Sequence, residues 1–432
     1  MVTADVNERI VELRRDLHQH PEPAWREFYT TARLIQELER IGVDEYYLGE
    51  EALDMAWRWG VPKAASELES WAELAVADGA SPDIVESLKA GTTGIVARLD
   101  CGDGPHVGLR VDIDALQRTE SADPDHLPAA EGFRSTREGA MHACGHDAHA
   151  SIGIGVIESV KDSDFSGTLT VCFQPAEEEI GGAKAMAEGG HFDAVDYFLA
   201  IHVGLDYPTG TVVAGFDGFL AVTNVTATFH GAGSHAGSRP ELGRNAVQAL
   251  ATATTNLYGI ARHHDGDTRL NVGRIEGGSA SNIIPDTAQL FGEVRGETTA
   301  LRDYMKDRAN TIIESAAAMH DCTVDIEFGP EAPSGTSDRE LVDIVGGVAD
   351  EVPGVTEIIS VGDFSGSEDA TYLMEHVQEN GGLATYIGIG TDHPGGHHSA
   401  TFDVDEASLS IGVDVLTNTI RQLEINHPVQ AD

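Results

Sequence analysis

The ten residues Met141–Ala150 read MHACGHDAHA and hold three histidines, one cysteine and one aspartate. Imidazole, thiolate and carboxylate are the groups that bind divalent transition metals, and a folded core has no need of so many together. Cys144 and His146 stand two apart, so on an extended segment they project to the same side and reach one metal. A competing reading has His146 and His149 start and cap the helix that follows. Further ligands lie elsewhere. FQPAEEE puts Glu177, Glu178 and Glu179 just after an apolar strand, where neighbouring carboxylates point in different directions. One can bind metal while the next serves as general base over a bound water. His202 in LAIHVG and His398 in GGHHSATFD sit at a strand end and in a tight loop. Cys144, His146, one glutamate, His202 and His398 make five ligands, one more than a closed tetrahedral site takes. That number suits two metals sharing a bridging group and a water.

These residues need a frame. TTGIVARLD, HVGLRVDID, GTLTVCFQP and DYFLAIHVG read as strands separated by helical segments, including HASIGIGVIESVK. Such alternation predicts an α/β sheet whose catalytic groups sit at strand ends and in the loops beyond. From about residue 220 the pattern becomes β-α-β-β-α-β, the ferredoxin-like plan, and after PEAPSGTSD the alternating style returns. We therefore expect a catalytic domain built from residues 1–218 and 334–432, with residues 219–333 inserted into it. Residues 46–92 form an acidic helical insertion with no obvious catalytic group, expected to be a surface or dimer-facing elaboration.

The chain has 432 residues, with 27 Lys and Arg against 72 Asp and Glu and a net charge of -45. Acids spread along the whole length repel nucleic acid and anionic lipid, so neither is an expected partner. Such a surface fits a very salty cytoplasm, where a Debye length of roughly 3 Å at 1 M salt screens self-repulsion. No apolar run is long enough to span a bilayer, and the amino-terminal stretch reads as an amphipathic helix ending at Pro21 and not as a leader, which predicts a soluble cytoplasmic protein. Cys101, Cys144, Cys172 and Cys322 are far apart with no C-x-x-C, as expected of free thiols.

With LRRDLHQHPEPAWREF, GLRVDIDAL, MHACGHDAHA, FQPAEEEIGGAKAM, AIHVG, GSHAGSRPELGRNAV, SNIIPD, GSEDATYLM and GHHSATFDVDE in view, the chain resembles a family of dinuclear metallopeptidases and amidohydrolases. The family includes aminoacylases, glutamate-releasing carboxypeptidases and hydrolases of indole-acetyl amino acids. The cysteine in ACGHD is similar to the branch in which a thiolate replaces the usual bridging aspartate. The resemblance implies an α/β, phosphorylase/hydrolase-like mixed-sheet catalytic domain with an inserted ferredoxin-like α+β lid and dimerisation domain. It also implies two divalent ions, manganese or zinc before cobalt or nickel. Cys144 would bridge them, with His146, Glu178, His202 and His398 completing their spheres and Glu177 acting as general base. His398 is preferred over His397 by the order H-S. Asp114 would orient a ligand, and Glu179 would be surface. In the inserted domain His235 would meet the oxyanion, commonly across a dimer, and Asn282 and Arg295 would meet the substrate's amide or carboxylate. Arg239 stands where relatives differ.

The implied activity is hydrolysis of N-acyl or N-aroyl amino acids, aminobenzoyl-glutamate-like compounds among them, to an acid and an amino acid. Alternatives are a dipeptidase or aminopeptidase using the same dinuclear site and a non-catalytic metal-binding partner subunit. The implied assembly is a homodimer or a hetero-oligomer with a homologous subunit.

Overall fold

Three apolar runs rich in β-branched and aromatic residues, Thr168–Gln174, Tyr197–Val203 and Leu383–Ile389, are buried almost throughout, as central parallel strands must be when helices cover both faces. With His106–Asp112 they form the parallel centre of an eight-stranded mixed sheet. Ile95–Asp100 and the short Glu45–Tyr47 extend one edge in antiparallel fashion. Thr211–Val213 and Glu357–Ile359 extend the other. Register aligns Asp112 with Gln174, and His202 with Gly388. The carboxyl ends of the parallel strands therefore open on one edge, where Asp114, Glu177 and His398 come after their strands and His202 is the next-to-last residue of its own. This is a computed structural model, and it describes residues 1–426. No helix among them is long and apolar enough to cross a membrane.

The helix His146–Lys161 is buried along nearly its whole length, because it lies on the sheet and under the helices Ala4–Gln19 and Ala407–Asn426. Two glycines make that possible. A Cβ on Gly153 would press on Val111 and Phe173 of the sheet, and one on Gly155 would lie 2.7 Å from Val413 on the opposite side. The helix is thereby pinned, and its first residue, His146, is held at the open edge of the sheet.

The chain divides into two compact units, one of residues 1–217, 336–364 and 369–432, the other of residues 218–335 and 365–368. The second has four antiparallel strands in spatial order Thr268–Gly277, Thr287–Gly296, Ala221–His230, Thr323–Ala332. Two helices, Ala246–Leu257 and Thr299–Met319, pack on the sheet and close its core around Phe229, Leu250, Leu290 and Ile313. Element order is β-α-β-β-α-β. Residues 46–92 complete the edge strand Glu45–Tyr47 and add the helices Ala65–Ala77 and Pro82–Ser87, and Leu68, Ala72, Ala75 and Leu88 bury with Phe28, Tyr29 and Ala32. One stretch reaches further inward than a surface elaboration would. The Trp59 carbonyl accepts from the Trp25 indole, and a Cβ on Gly60 would touch Glu179.

Candidate active site

The turn between Cys144 and His146 is not the extended segment expected from the spacing. Gly145 has φ +87°, and His146 is already the first residue of its helix. A left-handed glycine swings the chain sharply, so both side chains reach the same place by a turn instead of by strand alternation.

Cys144 is buried, and its sulfur lies 3.5 Å from His202 Nε2. Its sulfur falls within a group with His146 and Glu178, and within another with His202 and His397, each with donor atoms no more than 4.8 Å apart. The sulfur is common to both groups, and burial with the nearby Glu178 charge pushes the Cys144 thiol above its ordinary pKa. His398 Nε2 stands 3.6 Å from Glu178 Oε2, and Glu177 Oε2 stands 3.9 Å from His146 Nε2. Cys144, His146, Glu177, Glu178, His202 and His398 are thus brought together.

Hydrogen bonds decide which ring nitrogen each histidine presents. His146 Nδ1 meets the Asp114 carbonyl at 3.0 Å and its carboxylate at 3.2 Å, which turns Nε2 into the site. There Nε2 is buried without a hydrogen-bond partner, while carboxylate oxygens of Asp112, Glu177 and Glu178 lie 3.7, 3.9 and 3.9 Å away. An imidazole nitrogen left unbonded among carboxylates and a thiol fits a divalent cation. Burial alone would lower the His146 pKa, but the Asp112 charge, Asp114 and Cys144 outweigh it and raise it well above the ordinary value. His202 Nδ1 donates to the Val203 carbonyl at 2.8 Å, leaving Nε2 for the sulfur side. Burial, with His149 and His397 adding to it, lowers its pKa well below the usual range and keeps a lone pair available.

His149 has no such freedom. Its Nδ1 bonds Asp112, and its Nε2 accepts from the Val203 N–H at 2.8 Å. The competing reading gave both histidines of the helix start a capping role, whereas the structure separates a ring aimed into the site from one that ties the helix to the sheet. Asp112 in turn pairs with Arg110 at 2.8 Å, and the two histidines and this arginine hold its carboxyl well below the usual range against the effect of burial.

The glutamates ride a strained turn. Ala176 and Ile180 flank them at φ +57° and +52°, a conformation unfavourable for a β-branched side chain. Three contacts hold it. Glu27 Oε1 accepts from the Ala176 N–H at 2.9 Å, Asp114 Oδ2 from the Glu178 N–H at 3.1 Å, and the Ala176 carbonyl from the Gly181 N–H at 2.9 Å. Asp114 therefore orients His146 and the Glu178 backbone at once. Glu27 is wholly buried, and burial with the nearby Asp114 charge pushes its carboxyl up to about 8. Its motif was noticed in the sequence, but nothing there links it to a turn one hundred and forty-nine positions away.

In the second unit, His235 lies on a two-residue strand paired with Ile283–Ile284, and the Asn282 carbonyl accepts from the Ala236 N–H. His235 and Asn282 are neighbours. His235 Nδ1 accepts from Gly237 and Ser238 N–H groups at 3.1 Å, so its proton sits on Nε2. Arg295 is not brought to them. It lies at the far end of Thr287–Gly296, and its guanidinium grips Glu293 bidentately at 2.9 and 3.0 Å.

The pattern of Peptidase family M20/M25/M40 matches residues 108–422. The chain is 41% identical to the indole-3-acetyl-aspartic acid hydrolase of Enterobacter agglomerans over 414 residues, covering 95% of this chain and 94% of that one. It is 41% identical to one subunit of the p-aminobenzoyl-glutamate hydrolase of Escherichia coli over 410 residues, 94% of each. The crystal structure of an aminobenzoyl-glutamate utilization protein from Klebsiella pneumoniae superposes with a TM-score of 0.82 at 33% identity, covering 99% of this chain and 98% of that one.

Proposed function

Because the chain belongs to peptidase family M20/M25/M40, whose hydrolase relatives make it a metal-dependent amidohydrolase, we propose that its Cys144 cluster is a dinuclear centre. It cleaves the amide bond of N-acyl or N-aroyl amino acids, with aminobenzoyl-glutamate-like compounds as the substrate class. The observation that carries this reading is the Cys144 sulfur, grouped with His146 and Glu178 and 3.5 Å from His202 Nε2, beside a buried His146 Nε2 with no hydrogen-bond partner. Cys144, His146, Glu178, His202 and His398 would hold the metals, manganese or zinc before cobalt or nickel. When bound, such ions polarise the scissile carbonyl and make a water nucleophilic near neutral pH.

The chain's own residues do the rest. Glu177 takes a proton from the attacking water and returns it to the leaving amine. Glu27 and Asp114 keep the turn bearing Glu177 and Glu178 in its strained shape. His235 carries its proton on Nε2 and so has a donor for the developing oxyanion, with Asn282 beside it for the substrate amide. Arg295 would serve a substrate carboxylate only by exchanging it for Glu293. Two relatives are each named as one subunit of a hydrolase, which supports a hetero-oligomer with a homologous subunit alongside the homodimer reading.

The test is a panel of aminobenzoyl-glutamate, indole-acetyl-aspartate, acetyl amino acids and unblocked dipeptides, run before and after chelation. Turnover of the blocked substrates, lost on chelation and regained with manganese or zinc, is expected. Preference for free dipeptides would replace this reading with the dipeptidase one.

The charge excess supports a cytoplasm of high salt as the working environment. Self-repulsion is screened over roughly 10 Å at 0.1 M and roughly 3 Å at 1 M salt. The unfolding temperature is therefore expected to climb with KCl through the molar range. A flat or falling curve by calorimetry would discard the high-salt assignment.

A further inference from the structure

His397 immediately precedes the proposed ligand His398, and its far nitrogen is already engaged. The Leu205 N–H donates to His397 Nε2 at 2.9 Å. A ring nitrogen that accepts carries no proton, so in the neutral imidazole the proton is on Nδ1. Nδ1 lies 3.6 Å from Cys144 Sγ. A nitrogen bearing that proton cannot coordinate a metal, although distance alone groups His397 with Cys144 and His202.

The arrangement is built. Gly204 has φ +92°, and a Cβ there would lie 2.7 Å from His397 Nε2, so glycine lets the backbone come close enough for Leu205 to donate. Phe402 packs on the ring at 4.8 Å between centroids, and His393 stands edge-on at 5.0 Å. The imidazole has a fixed tautomer and a fixed orientation, with its N–H aimed at the sulfur.

We propose that His397 is a positioning residue that donates an Nδ1–H···S hydrogen bond to the Cys144 thiolate, setting the direction and electron density of the sulfur that grips the metals. The proposal rests on the reading of Cys144 as a metal ligand. The hydrogen bond holds the sulfur lone pairs toward the metals, which favours binding, and it draws some charge from the sulfur, which raises the energy of sulfur-to-metal charge transfer. Loss of such an outer partner typically costs about 10–100-fold in metal affinity.

Cobalt(II) is the probe, added to the metal-free full-length protein in molar KCl. The wild type, His397→Phe and His397→Asn are compared by titration and by the sulfur-to-cobalt charge-transfer band. Phenylalanine keeps the ring and removes the donor, whereas asparagine returns an N–H near the Nδ1 position. We expect all three to bind the same number of cobalt ions. His397→Phe should bind about 10–100-fold more weakly, with its band moved to longer wavelength, and His397→Asn should recover most of both. Loss of one cobalt equivalent in His397→Phe would make His397 a ligand, and an unmoved band would make it a packing residue; either overturns the proposal. A wild type with no sulfur-to-cobalt band would instead overturn the Cys144 centre itself. Should His397→Phe fail to fold, histidine nitrogen NMR of the zinc-loaded wild type decides: a proton on Nδ1 supports the assignment, and a proton on Nε2 or a metal-shifted nitrogen contradicts it.

Discussion

The Glu177→Gln protein is expected to lose about 10²–10⁴-fold in kcat while keeping its metal content and nearly unchanged KM. Glutamine preserves size and hydrogen-bonding reach but cannot accept the proton of the attacking water. Glu177 follows Ala176, whose φ of +57° is held by Glu27; its carboxylate lies 3.9 Å from His146 Nε2, and its donor group is with Asp112 and Glu368, not with Cys144. The neighbouring Glu178→Gln should behave differently, because Glu178 shares a donor group with Cys144 and His146 and also faces His398. There, metal content should fall along with activity. Steady-state kinetics with metal analysis on both variants checks the assignment. Full activity in metal-replete Glu177→Gln would remove this residue as the base.

The largest expected effect on stability is at Arg14. Its guanidinium is buried and bonds Asp147 Oδ2 at 2.9 Å and Asp403. Asp147 also meets His18 Nδ1 at 2.8 Å, and the other His18 nitrogen meets Glu120 at 2.9 Å. Arg14→Met would leave buried carboxylates short of a cation, a loss of about 3–5 kcal/mol. Unfolding in molar salt measures it. Asp147 follows His146 directly, so loosening this network should also weaken metal binding.

The same network gives stability a pH dependence. Both nitrogens of His18 face carboxylates; burial and the Arg14 charge work against protonation, but the bonds to Asp147 and Glu120 prevail and raise its pKa from 6.5 to about 9. A folded-state pKa above the unfolded one means the contribution is complete below 6.5 and is lost as pH rises through about 9. Asp147 is held far below its ordinary 3.8 against burial, so its contribution is present above that value and is lost as pH falls. An alkaline decline that is as large in His18→Gln as in the wild type would show that His18 is not its source.

Much of the site was legible before folding because its residues come in short local groups. FQPAEEE announces a strand, a turn and clustered carboxylates, and AIHVG announces a histidine at a strand end. The insertion at 46–92 was less legible. Its Leu and Ala residues mark helices, but nothing local says that they bury on Phe28 and Tyr29, or that Trp59 and Gly60 run beside the turn carrying Glu177, Glu178 and Glu179.

The amino-acid sequence by itself determined the α/β catalytic sheet and, through the family resemblance of its motifs, the amidohydrolase chemistry, since apolar periodicity and motifs are properties of short stretches. Only the tertiary structure decided which ring nitrogen each histidine spends on the protein itself. The sequence favoured His146 by its spacing from Cys144 and His398 by the order H-S, but it gave no physical difference between the rings of each pair. Their difference lies in which ring nitrogen is spent on Asp114, Asp112, Val203 or Leu205. Those partners are distant in the chain, and a tautomer is chosen only when folding delivers them.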